Sequence, residues 1–208
     1  MGLIWRLIKF GITVFLVLLF LRSYGLKWGL SLYLQHRLGT EVSIGEARID
    51  FVNAQAKIKN IVIRNPLVFP DGDMLLITQI FLDLKPSGLL GGQLVIPLLD
   101  MDIQDVRALR APGNGFNLYG LKIFREEKKE ETALERFKPD LKIEKLVLSM
   151  RRGSYTDMTS EPPVKKEYDL DILRSTYTEV LGLDALGKII LAETVKKMSL
   201  AALKDLIS

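Results

Sequence analysis

Cysteine is absent from the 208 residues, which removes disulfide cross-links and thiolate zinc sites together and leaves packing to hold the fold. Histidine occurs once, as His36, so there is no histidine pair for a metal and no partner for a Ser-His-Asp arrangement. His36 therefore reads as a surface or interface residue. Gly88, Gly91 and Gly92 lack the Gly-Lys-Ser/Thr ending of a phosphate loop and read as a turn. Asp100, Asp102 and Asp105 fall short of a calcium loop, because Asp105 stands where glycine is required and Ala111 where a bidentate glutamate is required. These carboxylates read as lining a wet face or a turn. Excess charge of one sign is missing too: three of the 29 basic residues precede Ser23, leaving 26 against 25 acidic side chains. A body so near neutral lacks the positive surplus that phosphate backbones attract, so nucleic acid is not an expected partner. Catalytic residues, metal ligands and cofactors are all expected to be absent.

A long apolar run opens the chain. From Gly2 to Leu21 only Arg6, Lys9 and Thr13 interrupt it, and Phe10, Val14, Phe15, Leu16, Val17, Leu18, Leu19, Phe20 and Leu21 carry its unbroken part. About 20 such residues span a bilayer as a helix. Arg6 and Lys9 can snorkel to headgroups and favour an inside N-terminus, with the body outside. The alternative is a cleaved signal peptide, for which Ser23-Tyr24-Gly25 supplies a small-x-small triplet. A helical spacing continues through Leu26, Trp28, Leu30, Leu34 and Leu38, with Tyr24, Trp28 and Tyr33 suited to a membrane interface and Gly39 to a C-cap. Residues 1–38 thus read as a transmembrane anchor and juxtamembrane helix.

The period changes after Gly39. Val42, Ile44, Ala47, Ile49 and Phe51 alternate with polar residues except for a slip at Gly45, the pattern of a strand with a bulge. A turn at Val52-Asn53 leads to a second strand whose phase shifts before Ile61 and Ile63. After the Pro70 to Asp73 break, a third strand runs through Thr78, Ile80, Leu82 and Leu84. A fourth begins at Leu94 and continues past Pro97, whose missing N–H points to an edge or a bulge. Arg125 to Arg136 form a mixed-charge linker or short exposed helix. Three more strands are expected: one through Leu141 to Leu148, one following a turn at Gly153 to Asp157, and one over Lys165 to Ile172. From about Leu181 the spacing turns helical, with Leu186, Ile190, Met198, Ala202 and Leu206 on one stripe. The expected organisation is a mainly β domain over 39–180, with its charged linker near 125–138, and a C-terminal amphipathic helix over 181–208. That helix can bury its stripe against the sheet, a partner or the bilayer interface.

The order of features resembles a family. The anchor, then LGTEVSIGEARIDFVNAQAKIKNIVIRNP, FLDLKPSGLLGGQLVIPLLDMDIQDVRA and GNGFNLYGL are similar to the N-terminal region of AsmA-like proteins of Gram-negative envelopes. KIEKLVLSMRRGSYTD and KKEYDLDI resemble the strand units that such proteins carry further along. The resemblance implies a highly curved antiparallel sheet, open as a taco-like groove with an apolar inner face, as in bridge-like lipid-transfer proteins. It implies a single-pass inner-membrane protein with its body in the periplasm, concerned with phospholipid movement and outer-membrane biogenesis. Asn117 and Asp157 match family patterns in which turn-capping is the expected role. This chain is far shorter than the long members. Seven strands at about 4.8 Å spacing extend a groove roughly 30 Å, enough to shield an acyl chain but not to bridge a periplasm.

Ile61 to Ile63, Ile80 to Leu82 and Leu94 to Leu99 are apolar on both alternating faces, where a sheet with one wet face alternates cleanly. Either lipid meets one face and a packed helix the other, or protein covers both. Under the first reading Ile61, Ile63, Ile80, Leu82, Leu84, Leu94 and Ile96 include the groove residues. Membrane lipids are then the expected partners, with other envelope proteins or copies of the same chain beside them. The alternative is a membrane-anchored scaffold or accessory subunit of a larger envelope complex.

Overall fold

The computed structural model describes residues 25–50, 52–85, 93–122 and 140–207. Helix α1 (Leu26–Leu38) ends on Gly39, whose left-handed φ of 71° lets its N–H bond back to the Gln35 carbonyl. The chain then forms β1 (Val42–Asp50), β2 (Gln55–Arg64), β3 (Asp73–Lys85), β4 (Gln93–Ala111) and the short β5 (Gly115–Phe116). A 3-10 turn over Asn117–Gly120, β6 (Asp140–Asp157), β7 (Val164–Leu181) and α2 (Gly182–Ile207) complete it. The strands make one open, curved, seven-stranded sheet in the order β1-β2-β3-β4-β6-β7, with β5 paired to β4.

The first three strands follow the alternation in the sequence. Gly45 is skipped between Ile44 and Glu46 in the β1–β2 register, opposite Asn60 at φ 53°, and that paired irregularity is the phase slip before Ile61. Three expectations need correction. The sheet is not antiparallel throughout, because β4 and β6 run parallel, from Gln93 beside Asp140 to Arg110 beside Asp157. A parallel neighbour requires the chain to travel back the length of the strand, about 60 Å for 18 residues. The charged stretch Arg125 to Arg136 lies outside the described residues. Gly153 to Asp157 is not a turn but the end of β6, and β7 runs well past Ile172. Pro97 lies on no edge: β4 is central, and the proline sits where the β3–β4 register shifts, so the bulge is the part of the expectation that holds.

Opposite residues in a ladder share a face, so the register defines the core. One row crosses all six long strands as Ile44, Ile61, Ile77, Ile103, Met150 and Ile172. All six are buried, Ile103 and Met150 completely. A second row reads Ala47, Ile58, Ile80, Met101 and Leu148, and a third Ile49, Ala56, Leu82, Leu99, Leu146 and Tyr177. The opposite face carries rows such as Arg48, Lys57, Phe81 and Asp100, and is polar. Half-buried Val62, Leu76, Phe81 and Leu98 on that face explain the runs that look apolar on both sides.

The helices close the two edges of the inner face. Leu26, Leu30, Leu34 and Leu38 of α1 pack against the core on the β1 side, where the Ser31 hydroxyl and Gln35 Nε2 both donate to the Val42 carbonyl. Leu183, Leu186, Ile189, Ile190 and Met198 of α2 pack on the β6–β7 side, as the expected stripe requires. The expected anchor, Phe10 to Leu21, and the Gly88 to Gly92 connection lie outside the described residues. Among the described residues no helix is long and apolar enough to cross a membrane.

Candidate apolar groove and charged outer face

The seven expected groove residues all belong to the inner face or pack against its core. Ile61, Ile63 and Ile96 are buried, whereas Ile80, Leu82, Leu84 and Leu94 remain half-buried. Ile61 and Ile63 lie opposite Ile44 and Val42 of β1, the strand that α1 packs on, and Ile96 lies opposite Ile143. Under α2, the inner residues Ile143, Leu146 and Val180 are sealed. Away from it, Ile58, Ile80, Leu82, Leu84, Leu94 and Leu141 keep part of their surface open, and they form a contiguous strip over β2, β3 and the starts of β4 and β6.

Asp100 and Asp102 line the wet face, as expected, whereas Asp105 on the same face is buried. Asp100 accepts from Arg174 at 3.2 Å, Asp102 from Arg151 at 2.8 Å and Asp105 from Arg107 at 2.8 Å. The Asp100–Arg174 and Asp102–Arg151 pairs bridge strands at the surface, where such contacts contribute at most about 1 kcal/mol. Among the described residues no group of three or more His, Asp or Glu side chains is placed to hold a metal ion.

Near the C-terminal end of β4 the outer face holds a cleft of about 620 Å³ that sequence reasoning missed. Its floor is made of small residues, since Ser154 of β6 lies between Arg107 of β4 and Glu167 of β7. The next row sets Arg152 between Asp105 and Asp169. Lys165 forms a 2.6 Å pair with Glu167 and holds that carboxyl below its ordinary range. The cations of the cleft are thus balanced by neighbouring carboxylates. The cleft arises from the parallel β4–β6 register, which brings residues about 45 positions apart side by side, so no local motif announces it.

Two loops at the same end are locked by Asn117, which is fully buried. Its Oδ1 accepts from the Leu109 N–H at 3.0 Å, and its Nδ2 donates to the Arg107 carbonyl and to Asn65 Oδ1, both at 2.8 Å. Gly120 lets this loop approach Pro66 and Phe69, where a Cβ would sit 2.9 and 3.0 Å from their rings. Asp157 has the expected capping role: its Oδ1 accepts from the Thr159 N–H at 2.9 Å and from the Thr159 hydroxyl at 2.6 Å. These bonds, with the Tyr155 hydroxyl donating at 3.0 Å, hold the Asp157 carboxyl below its ordinary range. The tips of the locked loops expose Leu67, Val68, Phe116 and Tyr119.

The fold and face together define a class, a single curved β-sheet with an apolar inner surface and a helix on each flank. Comparison with protein-family models, curated proteins and solved structures returns no match.

Proposed function

We propose that this chain is a non-enzymatic, AsmA-like envelope protein, anchored in a bacterial inner membrane by Phe10 to Leu21, whose periplasmic β domain shields phospholipid or another hydrophobic cargo. The observation that carries the reading is the apolar inner face that crosses six strands without a polar interruption in its central row and ends in the half-buried strip around Leu82. An acyl chain laid along that strip would complete burial that the protein's own side chains leave unfinished, at roughly 25 cal/mol for each Å² removed from water. Polar lining would be needed for headgroup chemistry or hydrolysis, and the strip has none.

A second reading, a membrane-anchored scaffold of a larger envelope complex, is favoured by one feature: Leu67 is 99% exposed, next to Val68, Phe116 and Tyr119 on loops held rigid by Asn117. Rigid exposed apolar groups are the usual signature of a docking surface. Mass spectrometry of lipids that copurify with the full chain separates the two. Phospholipid retained in defined stoichiometry supports the groove. Lipid-free protein that loses a copurifying subunit on Leu67→Ser substitution supports the scaffold.

A further inference from the structure

The exposed face of α1 has a composition that water does not explain. Trp28, Gly29, Leu32, Tyr33 and His36 follow one another around the outward arc of the helix, and all are exposed, Trp28 by 70% and Tyr33 by 54%. No Asp, Glu, Lys or Arg lies on that arc. The helix contains no acidic residue at all, and its two full charges, Lys27 and Arg37, sit near its ends and are half-buried. A helix that packs one face on protein and turns the other to water normally places its charged residues outward. Here the opposite face, Leu26, Leu30, Leu34 and Leu38, is already committed to the core. The helix is apolar on the packed side and aromatic-apolar on the free side.

We infer that the Trp28, Leu32 and Tyr33 face of α1 lies in the headgroup region of the bilayer, so that the helix clamps the β1 edge of the sheet to the membrane. Two observations select a bilayer as the occupant. Tryptophan and tyrosine are the side chains that prefer the membrane interface, with an apolar ring and a polar tip. The unbroken apolar run of the sequence ends at Leu21, a few residues before the helix begins at Leu26. The inference rests on the membrane-anchored reading for the nearness of a bilayer, and on the helix's own exposed face for the contact.

The contact also orients the domain. The Ser31 and Gln35 bonds to the Val42 carbonyl fasten α1 along β1, and β1 is an edge strand. A helix lying in the interface therefore sets the β1 edge beside the headgroups and the β7 edge far from them. Successive strands lead away from the bilayer, and the half-open strip on β2 and β3 lies near the membrane end of that path.

Trp28 allows a direct test, since the chain has only two tryptophans and Trp5→Phe leaves Trp28 as the sole emitter. The full-length variant is reconstituted in vesicles of phosphatidylethanolamine and phosphatidylglycerol. Emission shifted to the blue, quenched more by bromines high on the acyl chain than by bromines near its end, and several-fold less sensitive to aqueous iodide than free tryptophan amide is the expected result. Adding Leu32→Glu should restore iodide access several-fold while the protein stays with the vesicles. Full iodide access in the parent variant overturns the inference, because the face is then in water. Protection from both quenchers also overturns it, because protein then covers the face. Carbonate washing reports on the anchor separately: protein that washes off after showing shallow lipid quenching refutes the spanning anchor and upholds the interfacial face.

Discussion

Asn117 and Asn65, 52 residues apart, are joined by a 2.8 Å hydrogen bond from Asn117 Nδ2 to Asn65 Oδ1 that couples the loop after β4 to the end of β2. Asn117 is also bonded to both backbone groups it faces on β4, so every polar atom of a fully buried side chain is used. Asn117→Ala leaves the Leu109 N–H, the Arg107 carbonyl and Asn65 without that partner. Each buried group left unpaired costs about 1 to 3 kcal/mol. We expect the variant to lose about 3 kcal/mol in chemical denaturation in detergent; a loss below about 0.5 kcal/mol, as at an ordinary surface site, would show that the loops do not depend on this residue.

Leu82 and Ile103 offer a paired substitution on the same face. Leu82 is half-buried in the open strip and Ile103 is completely sealed. An uncompensated buried carboxylate costs several kcal/mol, whereas one that reaches water costs far less. Leu82→Asp should keep the β-sheet circular dichroism of the parent and lose most of its copurifying lipid; Ile103→Asp should unfold the domain. Loss of the sheet in both variants would make the strip an ordinary core.

Acid and alkaline limbs of stability depend on different residues. The Asp157 carboxyl lies below its ordinary range mainly through the Thr159 hydroxyl and N–H. A lowered carboxyl contributes stability that is present above the unfolded value of 3.8 and disappears as pH falls through the lower folded value. Asp157→Asn keeps an acceptor for Thr159 but removes the charge, so the difference in stability between parent and variant should shrink as pH falls below about 4. Tyr177 is shifted the other way, raised by burial and then by its bond to Glu193 of α2. Its contribution is complete below the ordinary tyrosine value of 10.0 and is lost as pH rises through the folded one. Tyr177→Phe should therefore flatten the alkaline limb and leave the acid limb unchanged.

Local pattern made the first three strands readable. Alternation gives Val42 to Ile49 and Ile61 to Ile63 their common face, and the slip at Gly45 marks a real irregularity opposite Asn60. The same reasoning fails at Gly153, which looks like a turn glycine beside Arg151 and Arg152. It instead makes room for Leu170, whose side chain would sit 3.2 Å from a Cβ there. Asp171, Arg174 and Glu179, at positive φ, break the alternation of β7, which hides the strand's second half. Strand direction leaves no periodic trace, so the parallel β4–β6 pair and the cleft it builds were out of reach. The groove residues were legible as apolar; which of them stay half-open depends on the helices, since Ile61 and Ile63 lie opposite Ile44 and Val42 of the strand that α1 packs on, Ile96 lies opposite Ile143 under α2, and Ile80, Leu82 and Leu84 lie between.

That placement of α2 is the basis of the last prediction. Leu186 is buried, and Leu183, Ile189, Ile190 and Met198 pack against the core, so the described part of the helix already covers Ile143, Leu146 and Val180. Tyr177 and Glu193 add a polar tie between β7 and the helix. Removing the chain after Gly182 uncovers those strands, and each large side chain returned to water costs roughly 1.5 to 3 kcal/mol. The exposed face would be several side chains wide on a sheet whose β7 edge is then unprotected, a combination that favours aggregation. We expect the truncated protein to aggregate even in detergent, as seen by size-exclusion chromatography with light scattering. A monomeric, folded product that has lost a copurifying subunit would instead make α2 a docking element and move the scaffold reading ahead of the groove. Leu186→Ala separates packing from docking in the intact chain: loss of a buried leucine should lower stability by about 2 to 5 kcal/mol without removing any partner.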